Sequence, residues 1–337
     1  MAQESKRRRF ARPRVVVSRC IEFDPVRYNG DMVPSREVAR LKPFIDFLPV
    51  CPEVEIGLGI PRETIRIVRM DGGNHLIQPS TGRDVTEEMQ SFTKKFIDAI
   101  PPVDGFILKN RSPTSGISGV RIYPSARPSA PVGHGPGFFG GEVLMRYPYY
   151  PIEDEGRLKN HRILDHFLTR IYTLADFRIV EEQNSFPALV RFHSQNKLLL
   201  MAHNLKGYQN LGRLVGSHAN HEPADDLIAR YREILLPTIA KAPTYSRTIN
   251  VMLHSEGRFK HLLNHEEKAV FLDAVENYRA GNGTVAGPKN ILKSWIARFG
   301  DEYLHEQTFF APYPDELMEY PAEETERGRD LWADFLD

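Results

Sequence analysis

Residues 15–30 read VVVSRCIEFDPVRYNG, and they indicate how the first half of the chain folds. Val15 to Val17 form a short apolar run of β-branched residues, which is typical of a buried strand. The run ends at Ser18, and Cys20 follows in a polar segment. Because open α/β sheets carry their chemistry in the loops that follow strands, Cys20 is a candidate functional residue.

Two further strings repeat this arrangement. SREVARLKPFIDFL (residues 35–48) has apolar residues near helical spacing, which predicts a helix that leads into a second strand at PVCPE, the string that carries Cys51. DGFILK (residues 104–109) predicts a buried strand that leads into NRSPTSGISG. Cys20, Cys51 and the turn at 112–116 therefore all follow predicted strands. We expect them to converge at one edge of a mostly parallel, Rossmann-like sheet in an α/β domain.

The length of 337 residues favours two domains. TEEMQSFTKKFIDAI (residues 86–100) predicts an amphipathic helix with Thr86 as its N-cap. PSARPSAPVGHGPGFFGG (residues 124–141) is so rich in Pro, Gly and Ser that it predicts a loop without regular elements. The later stretches show helical spacing, which predicts an all-α second domain. The predicted division is a basic N-terminal tail (1–14), an α/β domain (15–150), a helical domain (151–320) and an acidic C-terminal tail (321–337).

The charge of the chain is balanced overall but unevenly distributed. Residues 301–337 hold 12 acidic and 2 basic side chains, so the preceding 300 residues carry an excess of ten positive charges. A basic body suits a polyanionic partner such as RNA, because lysine and arginine contacts release counterions from phosphates. A solvated acidic segment without a partner explains the same asymmetry.

Composition also argues against several classes of protein. The chain has no run of about 18 apolar residues, so no membrane-spanning helix is predicted, and the basic N-terminus lacks the features of a secretory signal. We therefore expect a cytoplasmic protein whose two cysteines are free thiols or metal ligands rather than a disulfide. No protein partner is evident. No other metal site is predicted, since His218 and His221 lack a third ligand.

Several long strings, in the same order, resemble a known family. SRCIEFDPVRYNG, PVCPEVEIGLGIPRE and LKNRSPTSG are similar to the motifs of iron–sulfur-dependent thiouracil desulfidases. From HGPGFFGGEV onward, through YYPIEDEGRLKN, RFHSQNKLLLMAHN, LGRLVGS and FFAPYPDEL, the chain resembles the helical domain of YbgA-like proteins, which is often fused to that desulfidase. The resemblance covers nearly all of the chain after residue 14. It implies desulfidation of 4-thiouridine in tRNA to uridine, with the helical domain helping to hold the RNA.

The resemblance also implies a [4Fe-4S] cluster on three cysteines, whose open iron accepts the sulfur. Cys20 and Cys51 match the first two ligands, but the third motif, usually SPSCG or SPTCG, reads SPTSG here. Ser115 thus stands at the third position, where a hydroxyl is a harder and less acidic ligand than a thiol. Three explanations are open: a cysteine-to-serine replacement, a natural variant with a labile cluster, or a protein that only binds RNA. The retained neighbouring motif residues favour the first.

The same resemblance implies roles for individual side chains. Glu53 matches a catalytic glutamate that transfers protons, and Ser112 matches an active-site serine that contacts the pyrimidine or the attacking water. Purely structural roles are open for both residues. Glu53 could form an ion pair, and Ser112 could cap the turn before Pro113. Eight further residues are candidates for contact with substrate or RNA: Arg19, Arg27, Tyr28, Asn29, Lys109, Arg111, Lys206 and Arg213. The alternative is that they lie on a solvated surface or stabilise a turn.

Two other functions remain open from the sequence. A clusterless protein would bind structured RNA through its basic body without releasing sulfide. A small-molecule desulfidase would act on free thiouracil and would not need RNA.

Overall fold

The computed structural model describes residues 8–70, 72–217 and 223–318. His218, His221, residues 1–7 of the predicted basic tail and the whole predicted acidic tail lie outside the described residues. The described strands are β1 (Arg14–Ser18), β2 (Asp46–Val50), β3 (Arg66–Met70), β4 (Gly73–Ile77), β5 (Gly105–Leu108), β6 (Val120–Tyr123), β7 (Gly133–Gly135) and β8 (Ile152–Asp154). The described helices are α1 (Arg36–Leu41), α2 (Pro52–Glu55), α3 (Thr86–Ala99), α4 (Phe138–Arg146), α5 (His161–Gln183), α6 (Phe186–His203), α7 (Leu205–Gly216), α8 (Ala224–Ile239), α9 (Tyr245–Glu256), α10 (His265–Arg279), α11 (Ala286–Phe299), α12 (Glu302–His305) and α13 (Asp315–Met318).

The first sheet has the strand order β2-β1-β5-β8, and every neighbouring pair in it is parallel. The valines of β1 are fully buried and alternate between its two faces. Val15 and Val17 belong to one apolar cluster with Ile107, whereas Val16 packs into the cluster on the opposite face with Phe106. Both faces are therefore covered, which explains the continuous apolar run. The predicted α/β domain with a mostly parallel sheet is confirmed.

Two predicted helix details are wrong. The helix expected across residues 35–48 ends at Leu41, because Pro43 has no N–H with which to continue the helical hydrogen bonds. Leu48 lies in β2 instead. The N-cap position of α3 is Val85 rather than Thr86, and the Thr86 hydroxyl accepts the Leu76 N–H of β4 at 2.7 Å.

A second sheet has the order β4-β3-β6-β7, with a parallel pair in its centre and antiparallel pairs on each side. Its strand β7 and the start of α4 fall inside residues 124–141, so the prediction of a loop without regular elements is wrong there. The glycines that suggested a loop serve close packing: Gly137 and Gly140 lie against the backbone of residues 113–116. Sequence propensity is overridden here by a tertiary contact.

The second domain is helical, as predicted, and its long helix α5 packs on the first sheet. Phe167 and Ile171 of α5 share an apolar cluster with Val15, Val17 and Ile107. Each such fully buried side chain contributes about 1.5–3 kcal/mol. The division at residue 150 stays a prediction. None of the helices in the described ranges is long and apolar enough to cross a membrane.

Candidate active site

The carboxyl ends of three neighbouring strands meet at one edge of the first sheet. Ser18 of β1 is in register with Val50 of β2, and the Arg19 N–H donates to the Val50 carbonyl at 2.8 Å. The Ser18 hydroxyl accepts the Lys109 N–H, just after β5, at 2.9 Å. Cys20, Cys51 and the turn at 112–116 follow directly, so the predicted convergence is confirmed.

A cavity of about 260 Å³ opens at this edge; we call it the strand-end cavity. Drug-sized ligands occupy pockets of about 300–1,000 Å³, so this volume suits a single heterocyclic ring. Its lining includes most of the predicted site residues, namely Arg19, Cys20, Arg27, Tyr28, Cys51, Glu53, Lys109, Arg111, Ser112 and Ser115. Arg62 and Thr114 line it as well.

Two thiols and one hydroxyl occupy the positions of the expected cluster ligands. Cys20 and Cys51 are each 8% exposed, and Ser115 is 4% exposed. Burial raises the pKa of the Cys20 thiol to about 12, and the neighbouring Cys51 adds to this effect. Burial also raises the pKa of Cys51, although a hydrogen bond from the Val54 N–H opposes the shift. Both thiols are therefore protonated near pH 7.

Glu53 lies in the first turn of α2, and both of its carboxylate oxygens have partners. Arg62 donates to Oε2 through Nε at 2.8 Å, and its Nη2 lies 2.7 Å from the same oxygen as an ion pair. Thr114 donates from Oγ1 to Oε1 at 2.9 Å. The exposed fraction is 4% for the Arg62 side chain and 13% for that of Glu53. The carboxylate is thus held from two sides at the cavity wall.

Ser112 caps the turn that carries Ser115. Its hydroxyl oxygen accepts the N–H of Thr114 at 3.2 Å and that of Ser115 at 3.1 Å. It also lies 2.9 Å from the Thr114 hydroxyl. The structural role that the sequence left open for Ser112 is therefore present.

The start of α4 packs on the outside of the same turn. The N–H of Gly137 donates to the Gly116 carbonyl at 2.8 Å, and that of Gly140 donates to the Thr114 carbonyl at 3.0 Å. Both glycines approach the turn too closely for a Cβ atom. The position of Ser115 therefore depends on α4 as well as on Ser112.

The cations around the cavity differ in their partners. Arg19 pairs with Glu55 at 3.2 Å, and Lys109 pairs with Glu155. Arg27 and Arg111 also line the cavity, and within the described ranges neither has a carboxylate partner. The Arg27 guanidinium lies 5.5 Å from the ring centroid of the exposed Tyr28. Arg111 has a φ of +53°, a conformation that costs a non-glycine residue energy and recurs at functional sites.

Three of the residues predicted to contact substrate or RNA do not line the cavity. Asn29 lies outside its lining and hydrogen-bonds to Asp31. Lys206 and Arg213 are exposed on α7 of the helical domain. Conversely, the sequence motifs led to no predicted role for Arg62 or Thr114, although Arg62 lies in PVCPEVEIGLGIPRE and Thr114 in LKNRSPTSG. Their position inside these motifs is the signal that could have identified them.

Comparison with known families agrees with this arrangement. Residues 15–155 match the 2-thiouracil desulfurase family. Residues 197–314 match a family described as a protein of unknown function (DUF1722). Together the two matches support the thiouracil desulfidase and YbgA-like family that the sequence motifs indicated.

Individual relatives each match less than half of the chain. The chain is 27% identical over 154 residues to the uncharacterized protein YbgA of Escherichia coli (strain K12), which covers 45% of this chain and 91% of that protein. It is 29% identical over 109 residues to the uncharacterized protein YbbK of Bacillus subtilis (strain 168), covering 30% and 72%. A solved structure, the [4Fe-4S]-dependent thiouracil desulfidase TudS, is 28% identical, with 44% of this chain and 94% of that chain covered and a TM-score of 0.36.

The donors in the desulfurase-like domain do not fit a cluster that needs three thiolates. The strand-end cavity presents the two thiols of Cys20 and Cys51, but the third position presents the hydroxyl of Ser115. Iron–sulfur clusters are held by soft thiolates, whereas a hydroxyl is a hard ligand that stays protonated near pH 7. Over the described residues, no group of three His, Cys, Asp or Glu side chains is placed to hold a metal ion.

Proposed function

We propose that the strand-end cavity binds the thiolated pyrimidine of 4-thiouridine in tRNA and that the chain catalyses its desulfidation. Ser115 at the third ligand position limits this activity. The net reaction replaces the thiocarbonyl sulfur by a water oxygen and releases hydrogen sulfide. One observation carries the proposal: two buried thiols, the Glu53 carboxylate and the 112–116 turn face a single cavity of about 260 Å³. The match of residues 15–155 to the 2-thiouracil desulfurase family supports the class of reaction.

Glu53 is the group best placed to move protons. Its carboxylate lies at the cavity wall and is the only acidic side chain in the described lining. A general acid–base residue must reach the reacting atoms directly or through one water, which this position allows. In this proposal Glu53 exchanges protons with the attacking water and the pyrimidine ring. Ser112, the other proposed catalytic residue, contacts the pyrimidine or the water by exchanging one of its hydrogen bonds within the turn.

The choice of RNA over free thiouracil rests on charge. Arg27 and Arg111 line the cavity without carboxylate partners in the described ranges, where they suit the phosphates on either side of a nucleoside. Lys206 and Arg213 lie exposed on α7, where they suit more distant phosphates. The basic excess of residues 1–300 acts in the same direction.

A second function is favoured by Ser115. With a hydroxyl at the third position, the same surfaces suit a protein that binds structured RNA without iron and without chemistry. This alternative shares the RNA contacts of the first proposal. The two differ in whether a third thiol at position 115 brings iron and sulfide release.

The deciding experiment compares this chain with Ser115→Cys after anaerobic reconstitution with iron and sulfide. Ser118→Cys is the matched control, because it adds a thiol three residues away at an exposed position outside the cavity lining. We expect bound iron and sulfide release from 4-thiouridine in tRNA to rise only in Ser115→Cys. If that variant holds no more iron than Ser118→Cys and releases no sulfide, the desulfidase proposal is wrong. If Ser115→Cys releases sulfide from free 2-thiouracil as fast as from 4-thiouridine in tRNA, the choice of tRNA as substrate is wrong.

A further inference from the structure

The geometry points to Arg62 and Thr114 as the two positioning residues of Glu53. The importance of Glu53 rests on the proposed function, whereas the contacts that hold it do not. Neither residue touches a reacting atom in this proposal. Each acts by fixing where the carboxylate points.

The direction of the hydrogen bonds between Ser112, Thr114 and Glu53 follows from their chemistry. An ionised carboxylate only accepts, so the Thr114 hydroxyl must donate its proton to Glu53 Oε1 across 2.9 Å. Thr114 has no second proton to give. The 2.9 Å contact with Ser112 therefore requires that Ser112 donates and Thr114 accepts.

This direction leaves Ser112 without spare hydrogen-bonding capacity. Its proton goes to Thr114, and its two lone pairs accept the N–H groups of Thr114 and Ser115. A hydrogen bond from Ser112 to a ligand would break one of these three. Ser112 thus orients Thr114, and Thr114 orients Glu53.

Arg62 fixes the other oxygen of Glu53 to the rest of the cavity wall. Its Nη1 donates to the carbonyls of Val26 at 3.0 Å and Gly59 at 3.1 Å. Its Nη2 lies 4.0 Å from Cys51 Sγ. One buried guanidinium therefore links two loops, the thiol of Cys51 and the carboxylate of Glu53. The fork geometry of arginine permits this, whereas a lysine ammonium is a single point charge.

These contacts leave an acceptor position on Oε1 of Glu53. A carboxylate oxygen has two lone pairs, and Oε1 uses one of them to accept the Thr114 hydroxyl. Oε2 accepts from Arg62 Nε at 2.8 Å and has Arg62 Nη2 at 2.7 Å, so the guanidinium lies directly against this oxygen. We therefore expect a water or pyrimidine N–H that binds Glu53 to approach Oε1, where loss of the Thr114 hydroxyl changes the orientation of the acceptor that the ligand meets.

The test compares Thr114→Val, which keeps the shape and removes the hydroxyl, with Thr114→Ser, which keeps the hydroxyl. The first readout is the crystal structure of each variant of this chain. We expect Glu53 Oε1 to move by more than about 0.5 Å in Thr114→Val and to stay in place in Thr114→Ser. Should Thr114→Val not fold, Arg62→Lys replaces it, and the same movement is expected at Oε2.

The second readout is kinetic and uses the Ser115→Cys chain with each Thr114 variant added. We expect Thr114→Val to lower kcat for sulfide release about tenfold to a hundredfold with KM within about twofold, and Thr114→Ser to restore kcat. An unmoved Glu53 in both Thr114→Val and Arg62→Lys overturns the inference, as does an equal loss of kcat in Thr114→Ser. If Ser115→Cys releases no sulfide, the proposed function fails, while the crystal structures still decide the positioning roles.

Discussion

The backbone of Gly140 in α4 lies against the carbonyl oxygen of Gly116. A Cβ atom added to Gly140 would come 2.4 Å from that oxygen and 2.7 Å from the carbonyl oxygen of Ser115. The first turn of α4 and the turn that carries Ser115 thus meet backbone to backbone. Side chains cannot mediate this contact, so the packing of α4 sets the position of Ser115 only while residue 140 is glycine.

Gly140→Ala is expected to lower the free energy of unfolding by about 1–3 kcal/mol, because the new methyl group collides with backbone that cannot move aside cheaply. Urea unfolding followed by circular dichroism measures the change. Gly287→Ala in α11 is the control, since no atom lies within 4 Å of its added Cβ and alanine favours a helix. Equal stability of Gly140→Ala and the starting chain would show that the turn can shift.

Arg62→Gln is expected to destabilise the chain by about 3–5 kcal/mol, because it leaves the largely buried Glu53 carboxylate without its charged partner. Adding Glu53→Gln should recover part of this loss, since the uncompensated charge is then removed. Arg83→Gln breaks an exposed pair with Glu88 and should cost less than about 1 kcal/mol. Chemical unfolding of the four chains gives the comparison. A double variant no more stable than Arg62→Gln would contradict this account of the pair.

The stability of the helical domain should fall as the pH is lowered below about 6.5. Burial lowers the pKa of His203 to about 3 and that of His166 to about 4, and their rings stack with centroids 5.6 Å apart. Both values lie below the unfolded value of about 6.5, so the unfolded chain binds more protons than the folded chain between these limits. The stability that these neutral rings contribute is present above pH 6.5 and is lost as the pH falls towards 4.

Each of these histidines can contribute a slope of up to about 1.4 kcal/mol per pH unit in that window. Urea unfolding at pH 7, 6 and 5 measures the total slope. His203→Gln should reduce it by about the contribution of one histidine, whatever the variant does to stability at pH 7. An unchanged slope would mean that His203 is protonated in the folded chain.

The sequence was sufficient to place the two cysteines and the 112–116 turn together, because each follows a short apolar run and parallel strands end at the same edge. It was not sufficient to place Arg62 against Glu53, because the chain turns back between these residues without a regular element whose periodicity would predict the contact. The pairing of Lys109 with Glu155 joins positions 46 residues apart and likewise needs the fold. The glycines at the start of α4 predict a loop from sequence alone, because close backbone packing and loop flexibility both favour glycine.

Arg27 and Arg111 should carry more of the RNA affinity at the cavity than Arg19 and Lys109. The latter two are already paired with carboxylates, whereas the former two have no carboxylate partner in the described part of the chain. A cation that contacts phosphate adds about 0.7–0.9 to the slope of log affinity against log salt concentration. We therefore expect Arg27→Gln and Arg111→Gln each to lower the slope for tRNA by about this amount, measured by fluorescence anisotropy from 50 to 200 mM salt.

Lys109→Gln should change the slope by less, and Arg83→Gln, in an exposed pair outside the cavity lining, should not change it. A larger change for Lys109→Gln than for Arg111→Gln would show that RNA displaces Glu155 and that the ion pairs of this structure do not predict the phosphate contacts.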